Sequence, residues 1–485
     1  VERRRKVEAA MSKGALRAVV CTSTLDLGID WGDVDLVIQI GAPKGASRIT
    51  QRIGRANHRM DEPSRALLVP GNRFEVLECV AAREAIAEGA LDGDPPRKGA
   101  LDVLAQHLLG MACASPVDKD DLYAEVTGAA PYRDLDRATF DRTFAFVENG
   151  GYAMKSYDRW RRLVATPEGR FRVRSPAVAQ AFRLNVGTIV ESPAMNVRLA
   201  SGKGPRRGGR ILGTLEEWYA EGLAPGDTFL FAGEVLRFLG VEGTDLLVAR
   251  ATGEDPKTPM WGGGKFPLST YLADRVRRMI DAPESWERLP DPIREWLEVQ
   301  KEVSVLPRAE ELLVETFPHG GRHFLVCYPF DGRLAHQTLG MLITRRLERS
   351  RLQPVGFVAG EYALSVWARK DLAQAEMNAL FAEDMLGDDL ESWLAESILM
   401  KRTFRDCAVI AGLIERRFPG EQKSRRQVTF SSDLIFDVLK AHEPDHILLR
   451  AAWEDAASGY LDLARLQALL ARVRGRVHHQ RLDRV

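Results

Sequence analysis

Cysteine is scarce in this sequence: five thiols in 485 residues (Cys21, Cys79, Cys113, Cys327 and Cys407), with no CxxC pair and no closely spaced Cys/His set. That spacing excludes a zinc finger and a disulfide scaffold, and points to reduced thiols and a cytoplasmic protein. No run of 18 apolar residues occurs, so no membrane span is expected. Glu2-Arg3-Arg4-Arg5-Lys6 is followed by no apolar core, which excludes a signal peptide. The chain begins with Val1, and residues 4–12 read as the middle of an amphipathic helix, so it is expected to start inside a domain. Neither sign of charge is in excess, with 68 Lys plus Arg against 68 Asp plus Glu. The balance excludes a wholly basic, histone-like protein, yet leaves room for local segregation of charge. Internal repeats and low-complexity tracts are also missing.

What is present suits about three domains at roughly 150 residues each. Residues 18–21 (AVVC), 34–40 (VDLVIQI) and 65–69 (RALLV) are short apolar runs of the buried-strand type. Helical spacing occupies 47–59 and 75–88, so the first 92 residues read as part of an α/β layer with a parallel sheet. Gly93-Asp94-Pro95-Pro96 is a linker signal. Three helical stretches (100–113, 118–126, 136–149) and an alternating segment turning at Pro167-Glu168-Gly169 follow the plan of a winged helix over 93–182. From 183 to 375 the texture is short strands (186–190, 210–215, 228–231, 236–241, 246–251) interrupted by helices, which predicts a barrel-like module. Residues 376–485 read mainly as helix. The fold class expected is therefore multidomain α/β plus α+β.

Two segments carry chemistry. Thr22-Ser23-Thr24-Leu25-Asp26-Leu27-Gly28-Ile29-Asp30 directly follows an apolar run. Hydroxyls and free amides at a strand's carboxyl end hold phosphate, and a carboxylate beyond them can bind a ribose hydroxyl. An ordinary loop with a Ser/Thr cap is the plain alternative. Gln51-Arg52-Ile53-Gly54-Arg55-Ala56-Asn57-His58-Arg59 places Arg52, Arg55 and Arg59 on one helical face if the helix persists. Guanidinium forks suit phosphate oxygens and can stabilise charge that develops in phosphoryl transfer. A solvated basic face would normally intersperse acids, and none lies between Ser47 and Met60.

In their order along the chain, these segments resemble motifs V and VI in the second RecA-like domain of superfamily 2 helicases. The resemblance implies that Thr22 and Ser23 touch the tracked strand's phosphates, and that Gly28 and Asp30 face ATP. It further implies that Gln51 and Arg55 sense the γ-phosphate, with Arg55 as arginine finger and Arg52 nearby. The usual GRxGR is one residue longer here, so His58 or Arg59 is the second finger, and Asn57 stands in place of a glycine. Pro259-Met260-Trp261-Gly262, Phe266-Pro267-Leu268-Ser269 and Tyr328-Pro329-Phe330-Asp331-Gly332-Arg333-Leu334-Ala335-His336-Gln337 are similar to the Lhr (large helicase-related) core. The nearest likeness is the bacterial ligase-associated DExH subgroup.

That family implies an ATP- and Mg²⁺-dependent 3′-to-5′ DNA translocase acting in DNA repair. Its implied partners are single-stranded DNA, a 3′-tailed duplex or an RNA–DNA hybrid, with a functional link to a ligase and a nuclease. The intact protein is expected to be a monomer. Neither a GxxxxGK loop ending in Ser or Thr nor a DExH box occurs in the sequence. The phosphate cradle and metal carboxylates are therefore expected in a further, N-terminal RecA-like domain, and this chain alone is expected not to hydrolyse ATP.

Charge is segregated as a nucleic-acid reading requires. Residues 155–174 hold seven basic and two acidic side chains, among them Arg159-Trp160-Arg161-Arg162. Residues 197–210 hold five basic residues and no acid, including Arg206, Arg207 and Arg210. Arginines there would contact phosphates without reading sequence, and Trp160 could stack on a base. The plain readings are a surface hairpin with Trp160 packed on its own domain, and a solvated turn at 206–210. Residues 376–396 carry seven acids and no base, which predicts a solvated or protein-binding face. A metal site at His442 and His446 is disfavoured by the intervening Pro444. The rival to a helicase part is a stand-alone single-stranded nucleic-acid-binding module without ATPase activity.

Overall fold

The computed structural model describes residues 2–21, 34–57, 63–93, 96–151, 160–190, 194–200, 209–216, 219–220, 223–242, 245–252, 268–396, 399–419, 421–422 and 425–483. The chain divides into two compact units, each discontinuous in sequence. One contains Val1–Pro95, Phe266–Ala395 and Tyr460–Val485; the other contains Pro96–Lys265 and Glu396–Gly459.

In the first unit, Val37–Ile40 and Ala66–Val69 pair in parallel, Val37 opposite Ala66 and Ile40 opposite Val69. Helix Ala46–Ile53 follows the first of these strands, and helix Arg73–Ala87 follows the second. The longer helix starts where it does because the Asn72 side chain accepts the Glu75 amide at 3.0 Å. Residues 18–21, read above as a buried strand, are not in a strand, and Val20 is 98% exposed. An apolar run becomes a strand only when a neighbour supplies its hydrogen bonds, and the two-stranded sheet does not include it.

A second sheet in this unit has five strands in the order Pro354–Ala359, Leu364–Ala368, Arg322–Cys327, Leu312–His319, Val477–Arg481. The last strand pairs in parallel with Leu312–His319, so the closing segment, read as mainly helical, ends in a strand. Helix Arg333–Arg349 packs on the sheet through Gly340, where a Cβ would lie 2.5 Å from the Phe357 ring. Much of the acidic stretch is solvated as read, with Glu376, Asp384, Asp388 and Glu391 exposed, but one acid turns inward. Asp389 is buried and accepts from Arg346 Nε at 2.7 Å and from Arg349, while Asp384 accepts from Arg346 Nη2 at 2.6 Å. The matching cations lie some 40 residues upstream, beyond the reach of a local charge count.

The second unit begins with helices Leu101–Ala114, Lys119–Gly128 and Arg137–Asn149. Asp118 and Asp136 cap the latter two, and Gly150, at φ 84°, closes the third. The hairpin Leu163–Ala165 and Phe171–Val173 forms the wing, with Val117 bridging to Phe171. Residues 186–190, read as a strand, are not one, and Ile189 is 96% exposed. The helix Pro176–Asn185 precedes them, and the strand begins instead at Ala194. A five-stranded sheet then runs in the order Ile211–Glu216, Ala194–Leu199, Asp245–Arg250, Glu234–Glu242, Thr228–Phe231. Register shifts at Val197/Arg198 and Phe238/Gly240 curl it around Phe229, Leu236, Leu246 and Val248. Helices Leu399–Ile410, Arg425–His442 and Ile447–Asp455 share one core with the winged helix, built on Leu104, Leu108, Phe140, Phe404 and Leu448.

That core contains a polar exception. Asp102, Cys407 and Asp455 bring one ligand-type atom each to within 4.8 Å of one another. Burial pushes the Asp102 carboxyl up to about 6, with the nearby Asp455 charge adding to the rise and the Val103 amide opposing it. A carboxyl whose folded-state pKa lies above its unfolded value binds more protons when folded, so it favours folding in acid and loses that contribution as pH rises through about 6. Asp102→Asn is therefore expected to stabilise this unit at pH 8 by on the order of 1–3 kcal/mol, and to flatten its gain in stability between about pH 7 and 5. Denaturant unfolding of both proteins at pH 5 and pH 8 measures this; parallel pH dependences would refute it.

Candidate nucleic-acid interface

Helix Ala46–Ile53 ends at Gly54, whose amide bonds back to Thr50 O at 2.9 Å. The helix therefore does not persist to Arg59, and Arg52 and Arg55 do not share one continuous helical face. Arg55 sits in the turn beyond it, its amide donating to Arg52 O at 3.0 Å. Asn57 has φ 47°, the left-handed conformation for which a glycine would otherwise serve. Its amide donates to Val34 O at 2.7 Å and its side-chain amide to Pro63 O at 3.1 Å, which fixes the turn against the sheet. Gln51 is exposed, while Arg52 and Arg55 are half-buried. Arg52 Nη1 donates to Gln39 Oε1 at 2.6 Å, so one guanidinium is oriented by a residue of the parallel sheet. This donor set suits phosphate oxygens. Thr22, Ser23, Gly28, Asp30, His58 and Arg59 lie outside the described residues. Among those described, the group of three candidate metal ligands is Asp102, Cys407 and Asp455, in the other unit.

Of the predicted strand contacts, Arg161 and Arg210 are exposed, whereas Arg159, Arg206 and Arg207 lie outside the described residues. Gly209 fixes the base of the Arg210 hairpin: its position leaves no room for a Cβ against the Leu199 carbonyl, and its own oxygen accepts from Arg198 Nη1 at 2.9 Å. Trp160 is half-buried and packs against the core of the winged helix.

Two structural centres fall on segments that the sequence marks without revealing their internal roles. Arg162, beside the exposed Arg161, is 7% exposed. It donates to Ala411 O at 3.2 Å, Gly412 O at 3.3 Å and Phe146 O at 3.3 Å, and lies 5.1 Å from the Phe146 ring centroid. Burial lowers its pKa to about 10, against the pull of Glu415. No local pattern separates it from its neighbour, because its partners lie at Phe146 and at residues 411–412.

The second centre is the segment 328–336. Asp331 is buried and accepts from Arg472 Nη2 at 2.5 Å, with Arg277 Nη1 at 3.8 Å. Phe330 and Gly332 on either side have φ 59° and 86°. His336 is fully buried: its Nε2 accepts the Asp331 amide at 3.1 Å and its Nδ1 lies 2.8 Å from Gly360 O. Burial lowers its pKa to about 4, so it is a neutral internal brace at physiological pH. His446 is likewise buried and caps its helix by accepting the Leu448 amide at 3.2 Å. No helix among the described residues is long and apolar enough to cross a membrane.

Comparison with known families divides the chain into three matches. Residues 1–60 match the helicase conserved C-terminal domain, residues 84–258 the winged helix domain of large helicase-related protein, and residues 306–485 the DEAD/H associated family. The ATP-dependent helicase Lhr-Core of Methanocaldococcus jannaschii is 29% identical over 95% of this chain and 55% of its own length. The Lhr helicase/uracil glycosylase of Escherichia coli is 26% identical over 98% of this chain and 32% of its own length. The structure of Mycobacterium smegmatis helicase Lhr bound to ssDNA and AMP-PNP superposes with a TM-score of 0.73, at 24% identity, over 99% of this chain and 59% of that one. The chain thus spans about half the length of the archaeal relatives and a third of the E. coli protein. Matches of these three kinds in this order, on a fold shared across nearly the whole chain, mean that the chain resembles the C-terminal part of Lhr-type helicases.

Proposed function

We propose that this chain is the ATP-sensing and strand-gripping part of an ATP-dependent DNA helicase that acts in repair. The reading rests chiefly on one observation: in the stretch that matches the helicase C-terminal domain, Gln51, Arg52 and Arg55 are set on a helix end and a turn pinned to the parallel sheet. In this reading Arg55 approaches the γ-phosphate of ATP bound against a further RecA-like domain, with Gln51, Arg52 and Arg59 beside it. Gly28 and Asp30 face the nucleotide, and Thr22 and Ser23 hold phosphates of the tracked strand. A guanidinium so placed would stabilise charge as it develops on the transferred phosphoryl group, and Mg²⁺ held by carboxylates elsewhere in the intact protein would neutralise phosphate charge. Residues 1–92, 93–182, 183–375 and 376–485 would then serve as the partial motor domain, winged helix, barrel module and tail.

Arg161 and Arg210, with Arg159, Arg206 and Arg207, would hold the backbone of a single strand or a 3′-tailed duplex, with base stacking from Trp160 limited by its packing. Each phosphate contact on a single strand adds about 0.7 to the slope of log affinity against log salt. Arg161→Ala/Arg210→Ala is thus expected to reduce that slope by about 1.4 and to weaken binding of oligonucleotides of any sequence alike. Fluorescence anisotropy over a salt series measures it, and an unchanged slope would remove both arginines from the interface. Binding insensitive to ATP in the intact protein would favour the rival reading, a nucleic-acid clamp without a motor.

A further inference from the structure

Within the second unit, a cavity of about 360 Å³ opens between helix Pro176–Asn185, the wing and residues 410–419. Its size falls in the range of small-ligand pockets. Three guanidinium-bearing residues line it, Arg162, Arg174 and Arg417, against one acid, Glu415. Arg162 is more than nine-tenths buried, makes no ion pair within 4 Å among the described residues, and its Nε has no hydrogen-bond partner. With its hydrogen bonds spent on carbonyls and Glu415 as the one acid among three guanidinium-bearing residues on the lining, Arg162 leaves the cavity net positive, and an anion there lowers the electrostatic energy.

The helix start is a second, separate contribution. Pro176 has no N–H, and the Ser175 side chain makes no capping bond, so the first-turn amide of Ala177 receives no cap from it; both Ser175 and Ala177 line the cavity. Uncapped amides at the positive end of a ten-residue helix attract phosphate. Trp160 supplies a flat aromatic wall on the same cavity. Cationic donors, a helix start and an indole within one small volume match a phosphate joined to a planar ring.

We propose that this cavity binds a nucleotide monophosphate unit, its phosphate held by Arg174, Arg417 and the Ala177 amide, and its base set against Trp160. Arg162 fixes the positive potential and shapes the floor. The unit is either a free nucleotide or one nucleotide of a single strand, which present the same chemistry to the site. The proposal does not depend on the ATP-linked role of Arg55, which lies in the other unit, nor on Arg210.

The test uses the whole chain labelled with fluorotryptophan, whose nine indole signals are followed by ¹⁹F NMR, Trp160 being assigned with Trp160→Phe. Titration with dAMP is expected to shift the Trp160 signal saturably. Deoxyadenosine and inorganic phosphate, each presenting half of the ligand, are expected to bind at least about tenfold more weakly. Arg174→Glu/Arg417→Glu, at two exposed positions, is expected to lose at least about tenfold in dAMP affinity with its melting temperature unchanged. Displacement of dAMP by a dodecamer of deoxyadenylate would identify the strand as the source, and failure to displace it would identify the free nucleotide. No saturable Trp160 shift up to about 10 mM dAMP, or equal affinity in the folded double variant, would overturn the proposal.

Discussion

Asp331→Ala is expected to destabilise the first unit by about 3–5 kcal/mol, a large share of the roughly 5–15 kcal/mol that holds a domain together. The carboxylate is 5% exposed and faces Arg472, itself partly buried, at 2.5 Å and the buried Arg277 at 3.8 Å. Burial raises the Asp331 pKa while these arginines pull it down, so the group is costly by itself and favourable only with its partners present. Removing it leaves two guanidinium groups in a poorly solvated place with part of their compensation gone. Arg277 retains Asp274, and Arg472 retains the Ala309 and Pro329 carbonyls. The penalty should therefore be that of one broken buried pair rather than two. Asp331→Asn keeps the volume and loses the charge, and should fall between alanine and the parent. Asp331→Ala/Arg472→Met should recover part of the loss, because the second change removes the stranded charge. Denaturant midpoints for the four proteins provide the measurement. A loss below about 1 kcal/mol for the alanine variant would show that water reaches the site and screens it.

Arg162→Met should cost the second unit about 2–4 kcal/mol. Two effects oppose each other here. Methionine relieves the burial of a charge, which the lowered Arg162 pKa of about 10 shows to be unfavourable. It also strands the carbonyls of Ala411 and Gly412, each of which costs about 1–3 kcal/mol when left unsatisfied in the interior, while the Phe146 carbonyl keeps the Gly150 amide. These two carbonyls outweigh one desolvated cation whose charge is delocalised and weakly hydrated. Volume is nearly conserved, so the cavity term stays small. Arg162→Lys should rescue little, because one ammonium on a flexible stem cannot reach three diverging carbonyls at once. Thermal unfolding of the three proteins decides it; a lysine variant as stable as the parent would mean that charge alone, and not the planar fork, matters.

Local patterns were legible where local physics decides. The helices 119–128 and 137–149 are marked by capping aspartates, the second also by a closing Gly150, and the wing by its turn at Pro167–Gly169. The left-handed Asn57 was legible as a substitute for glycine. Residues 18–21 and 186–190 misled because an apolar run carries no information about whether a partner strand exists. The aromatic–cationic run of the wing read as one patch, yet it divides into exposed Arg161, half-buried Trp160 and buried Arg162, whose carbonyl partners lie at Phe146 and at residues 411–412. His336 and Asp331 stood out as a motif, but their partners, Arg472 and the Gly360 carbonyl, lie 141 and 24 residues away. Such pairings are properties of the tertiary structure, and no window on the sequence contains both ends.

The interleaving of the two units in sequence also sets a schedule for synthesis. A ribosome delivers Leu312–His319 well before its parallel partner Val477–Arg481, which starts 158 residues after His319. At about 5–20 residues per second the nascent sheet waits on the order of 10–30 s with that side of the strand unpaired. Nor does any single scission of the chain release either unit whole, since each is assembled from separated stretches. A growing chain must therefore keep a bare strand edge from pairing elsewhere until residues 477–481 arrive, an exposure set by the topology itself.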